Sequence, residues 1–89
     1  MDTSNPVIQL CIAGARAEFE HRLEEARRLY LQAWEARTGD YDACIAAHYV
    51  ARFQDSAEES LRWNQIALEH ANVVSADRVK DFYPSLYLN

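Results

Sequence analysis

Glu18 and His21 form the first residue pair along this chain whose types and spacing could do chemistry. Three positions apart on a helix, a carboxylate and an imidazole share one face, as they do in di-iron bundles. Such a centre needs a second pair of the same kind and two further glutamates. The other histidines do not supply it, since Ile45 stands three residues before His48 and Ala67 three before His70. His21 also falls where a turn between helices is expected, which suits a solvated or capping imidazole. Cys11, Cys44 and His48 offer a second set, a thiol nucleophile with its base. Both cysteines sit on apolar helical faces, and nothing basic is placed to lower their pKa. The sequence holds no glycine-rich phosphate loop, no zinc spacing and no nucleophile elbow. It therefore reads as non-catalytic, with no metal and no cofactor.

The elements that must position these residues are helical. Only 2 Gly and 2 Pro occur in 89 residues, among abundant Ala, Leu, Glu and Arg. Asn5 followed by Pro6 supplies an N-cap and a first helical proline, which predicts a helix over 6–19 with Val7, Leu10, Cys11, Gly14 and Ala17 inward. A second begins near Arg22, carries Glu24 and Glu25 in its first turn and ends around Arg37, before Gly39. Leu23, Ala26, Leu29, Tyr30, Ala33 and Trp34 form its apolar stripe. Asp40 is expected to cap a third helix, which carries Ala43, Cys44, Ala47, Val50 and Ala51 up to about Phe53. Asp55 with Glu58, and Ser56 with Glu59, offer overlapping capping boxes for a fourth, through Leu61, Ile66, Ala67 and Leu68. Residues 72–76 read as a fraying end and a cap. A fifth helix is expected from about Asp77, with Pro84 placed to kink it.

These elements repeat. When the chain is slid by 34 residues, Ala13, Ala17, Phe19, Glu24, Glu25, Arg28, Ala33 and Glu35 reappear as Ala47, Ala51, Phe53, Glu58, Glu59, Arg62, Ala67 and Glu69. A fixed period in this range marks a helix pair that cannot bury its apolar face alone and stacks on a copy of itself. In the first copy Gly14, Ala26, Tyr30 and Ala33 fall on the small and aromatic positions of the tetratricopeptide pattern, and the chain resembles that family. Leu10, Ala13, Ala17 and Thr38 depart from it, standing for its tryptophan, leucine, tyrosine and proline. In the second copy Cys44, Ala47, His48, Ala51, Ser60, Asn64 and Ala67 take the same places, and only Ala67 matches outright. Small residues are expected where the backbones of adjacent helices approach closely. The reading is thus one all-α domain over 1–89, a solenoid-like array of about five helices: antiparallel pairs over 6–39 and 40–73, then a helix over 76–89.

The resemblance implies that the first helix of each pair lines a concave surface that takes a protein or peptide partner. On that face lie Cys11, Ala15 and Glu18, with Ile45, Tyr49 and Arg52 from the second copy. Phe19 and Phe53 flank it and are expected to pack chiefly between the repeats. The surface is mostly apolar and aromatic, with one acid and one base, which favours a partner segment carrying apolar anchors. Ala15 and Tyr49 stand where chaperone-binding members of the family carry asparagine, so capture of a chaperone tail is not expected. Two repeats are fewer than the three that usually make a stable array, and the last segment is the most aromatic. Phe82, Tyr83, Leu86 and Tyr87 are therefore expected to be buried against another copy, as a dimer, or to close the chain's own array as a lid.

A net charge of −5 without a basic run argues against nucleic acid as partner. No apolar stretch approaches the roughly 20 residues of a membrane span. The first seventeen residues lack a basic region before their short apolar segment, and no cleaved signal peptide is expected. Cys11 and Cys44 on apolar faces suit reduced, buried thiols in the cytoplasm.

Overall fold

In the computed structural model, which describes residues 4–74, Asn5 and Pro6 open the first helix as their order predicts. The Asn5 side chain accepts a hydrogen bond from the Val7 amide at 2.8 Å. This helix, α1, spans Pro6–Phe19. It ends in a Schellman closure, in which the Arg22 amide donates to the Ala17 carbonyl at 2.8 Å and the His21 amide to that of Glu18 at 3.0 Å. The closure needs one residue in the left-handed region, and that residue is His21, with φ of 62°.

Helix α2 spans Leu23–Glu35, with Glu24 and Glu25 in its first turn against the positive end of the helix dipole. Helix α3 spans Asp40–Val50 and tightens into a 3-10 turn over Ala51–Phe53. Its N-cap is Gly39 rather than Asp40, which is already helical. The carboxylate that fixes this start is Asp42, in the first turn of the helix. It accepts from the Thr38 amide at 3.1 Å, the Thr38 hydroxyl at 2.9 Å and the Asn5 side-chain amide at 2.8 Å. Helix α4 spans Ala57–Ala71. Of its two expected capping boxes, Ser56 forms a cap bond to the Glu59 amide at 3.1 Å, while Asp55 turns to Arg27 at 3.1 Å. The fifth helix expected beyond Asp77 lies outside the described residues.

Among the described residues the fold is all-α, with four α-helices and no strand. The links between helices are short, which makes neighbours antiparallel. Helix α1 packs on α2 and α3 on α4, while α3 also touches α1 and α2. Helices α3 and α4 begin 34 residues after α1 and α2, at Asp40 against Pro6 and at Ala57 against Leu23. No helix here is long and apolar enough to cross a membrane.

The core runs along α3, which is buried on all sides from Asp42 to Ala47. Small side chains permit this. Ala43, Cys44, Ala46 and Ala47 let neighbouring helices close on α3, where Val7, Ile8, Cys11, Ala33, Ala67 and Ala71 meet it. A second cluster joins Ala17, Ala26, Tyr30 and Val50. Gly14 serves a ring rather than a backbone: a Cβ built on it would lie 2.4 Å from Cε1 of Tyr30. Trp34 meets Trp63 edge-on with centroids 5.0 Å apart, and the Arg37 guanidinium lies 3.9 Å above the Trp34 ring.

Candidate interaction surface

Glu18 lies in the last turn of α1, and its two carboxylate oxygens take different partners. Oε1 accepts from the Tyr30 hydroxyl of α2 at 2.9 Å, and Oε2 from the Arg52 guanidinium of the 3-10 turn at 2.5 Å. One carboxylate thereby links three elements. The Tyr30 ring, 1% exposed, stacks on Tyr49 with centroids 4.9 Å apart and tilts against Phe53 at 5.6 Å. Around this nucleus Ala15, Glu18, Phe19, His21, Tyr30, Tyr49 and Arg52 line an open depression of about 530 Å³.

Four of the six residues expected on the concave face, Ala15, Glu18, Tyr49 and Arg52, are brought together here. The other two are corrected. Cys11 and Ile45 are 2% and 0% exposed and belong to the core cluster, so they present no surface to a partner. The reason is the width of the buried face: α1 buries Val7, Ile8, Cys11, Gly14 and Ala17, and α3 is buried on all sides from Asp42 to Ala47, so Cys11 and Ile45 both fall inside. Phe53 packs on Tyr30, whereas Phe19, also expected between repeats, stands 85% exposed at the rim. Phe82, Tyr83, Leu86 and Tyr87 lie outside the described residues.

Tyr30 and His21 line the depression without having been expected there. Tyr30 belongs to the apolar stripe of α2, and its signal is Gly14, the gap in α1 that admits the ring. His21 leaves the helical face of Glu18 because its left-handed backbone ends α1. His21 still lines the same depression as Glu18, whose carboxylate is committed to Tyr30 and Arg52. Among the described residues no three His, Cys, Asp or Glu side chains gather as a metal site.

The electrostatics follow the packing. Burial, then the bond to Glu18, raises the Tyr30 phenol above its ordinary range, and the same carboxylate raises Arg52. Both groups hold their protons at neutral pH, Tyr30 spending its proton on Glu18 while Arg52 keeps half its side chain in solvent. Burial, then the Arg52 charge, holds His48 below its ordinary 6.5. The thiols move away from reactivity: Cys11 is pushed up to about 12 by burial and by Asp42, and Cys44 to about 11 by burial. Comparison with protein-family models, with curated proteins and with solved structures finds no match to any of them.

Proposed function

We propose that this chain is a non-catalytic protein-interaction module built of tetratricopeptide-like helix pairs, which takes a segment of a partner protein in the depression between α1 and α3. One observation carries the reading: Ala15, Glu18, Tyr49 and Arg52, two positions from each 34-residue unit, line a single open depression with an aromatic wall. Ala15 leaves room over the groove floor, Tyr49 offers flat apolar contact, and Arg52 offers a donor at one side. The occupant that fits is a short segment with one or two apolar anchors and a polar group within reach of Arg52. The thiols, buried and poorly ionised, do not serve as nucleophiles in this reading, and a reducing cytoplasmic setting suits them.

A display library of random peptides about ten residues long tests it, since such a segment spans the depression when extended. The expected result is enrichment of sequences with spaced apolar residues, whose binding falls at least tenfold on Ala15→Arg and on Arg52→Glu but not on Arg62→Ala, in α4. Enriched peptides that bind both groove variants unchanged would assign them to another surface and end the reading.

A further inference from the structure

Phe19 and Phe53 hold the same position in the two 34-residue units, yet their surroundings differ. The Phe53 ring lies 5.6 Å from Tyr30 of α2, and Arg27 of α2 donates to the Phe53 carbonyl at 2.5 Å. Phe19 is 85% exposed. The contrast extends along the helix. Ala46 and Val50 of α3 are 0% and 2% exposed, whereas Ile12 and Arg16, their counterparts in α1, are exposed. With spacings of four and three, Ile12, Arg16 and Phe19 share one face of α1. In α3 the same face is covered by α2 and α1.

We propose that α4 of a second copy of this chain covers the Ile12–Arg16–Phe19 face, in the register in which α2 covers α3. Helix α4 is the counterpart of α2, beginning at Ala57 where α2 begins at Leu23. Moving the contact by one unit puts Leu61 where Arg27 stands, opposite Phe19, and Leu68 where Trp34 stands, opposite Ile12. Leu61 is 58% exposed and open to such a contact, while Leu68 is half-buried against the core and offers only its outer part. Ile12 and Phe19 are seven residues apart, as are Leu61 and Leu68, so the two apolar pairs match on antiparallel helices. Asn64 and Gln65 fall between them, within reach of Arg16, whose guanidinium has no ion-pair partner among the described residues.

Charge favours the same junction. The bond between Glu18 and Arg52 joins equivalent positions of successive units, so stacking a further unit brings Arg52 of one copy beside Glu18 of the next. A two-fold pairing of α1 on α1 is disfavoured, because Arg16 at the centre of the stripe would meet itself. The junction joins two different faces and is heterologous, so assembly grows beyond a pair. Ile12 and Leu61 lie outside the depression between α1 and α3, and substitutions there leave peptide capture to be judged separately.

Light scattering after size exclusion tests the proposal, with loading from about 10 μM to about 1 mM, a range that reads weak to moderate affinities. The wild-type mass is expected to climb above 10.3 kDa with concentration, and Ile12→Glu or Leu61→Glu to weaken association at least tenfold. Mixed in equal amounts, the two variants are expected to form a one-to-one complex, since each keeps the face that the other has lost. Circular dichroism checks their helicity, and Ile12→Ser and Leu61→Ser replace any variant that fails to fold. A wild-type chain monomeric throughout would overturn the proposal and leave the face to a different protein. Variants that assemble as the wild type does, or a mixture that stays monomeric when each variant alone does, would also overturn it.

Discussion

Glu18 and Arg52 occupy equivalent positions in the two 34-residue units and bond to each other at 2.5 Å, so the chain ties its halves together through one place of its own pattern. The pair is unequal. Arg52 has half its side chain in solvent, while Glu18 is 26% exposed and also accepts the buried Tyr30 hydroxyl.

That inequality predicts unequal losses. Arg52→Ala removes a half-exposed ion pair and is expected to cost less than about 1 kcal/mol. Glu18→Ala also strands the Tyr30 hydroxyl and is expected to cost about 1–3 kcal/mol. Denaturant titration of both variants decides, and equal losses would mean that the Tyr30 bond adds nothing to stability.

Gly14→Ala is expected to destabilise, against the helix propensity of alanine. The new Cβ would stand 2.4 and 2.7 Å from ring carbons of Tyr30, which Tyr49 and Glu18 hold in place. Overpacking of about 1–3 kcal/mol then outweighs a propensity gain of about 1 kcal/mol. The readout is Tm, and an unchanged or raised Tm would show that the ring has somewhere to go.

His21→Gly is expected to raise stability by about 0.5–1 kcal/mol, because glycine adopts the φ of 62° without the Cβ clash that histidine carries. His21→Ala keeps a Cβ and is the control, expected to lie close to the wild type. A glycine variant no more stable than the alanine one would mean that the left-handed turn costs histidine nothing.

One imidazole and two thiols set opposite limbs of the pH profile. His48 is held below 6.5 in the folded chain, so unfolding takes up a proton. Its contribution is present above about pH 6.5 and is lost as pH falls below that value toward the folded pKa. His48→Gln should flatten this acid limb. The thiols are raised, to about 12 for Cys11 and about 11 for Cys44, so their contribution is present below the ordinary 9.0 and lost as pH climbs from there. A thiol reagent at mildly alkaline pH should therefore label neither cysteine in the native protein, and the labelling rate should follow unfolding. Prompt labelling of Cys11 would refute its burial.

Local signals were the legible part of this fold. Asn5 with Pro6, Ser56 three residues before Glu59, and the 34-residue period fix where α1, α3 and α4 start, because caps and proline act on their nearest neighbours. Asp40 misled because the acid that holds the start of α3 is Asp42, and its partner Asn5 lies 37 positions away. No local rule connects the two. The groove was half legible for a similar reason. Period alone groups Cys11 with Ala15 and Ile45 with Tyr49, but how far each helix sinks depends on the size of its neighbours' side chains. Phe19 and Phe53 make the point most plainly, being the same residue at the same place with only Phe53 packed under α2.

Asn5 does two tasks at once, capping α1 through Oδ1 while donating to Asp42 of α3 at 2.8 Å. The opening turn of the first hairpin is therefore secured by the second, and Thr38, in the link between them, bonds to the same carboxylate. The amide of Val7 cannot exchange its hydrogen by local fraying alone without also releasing Asp42 inside the protein. Its exchange should therefore quicken in an Asp42→Ala variant, which frees Asn5 from α3 while leaving the capping oxygen itself in place.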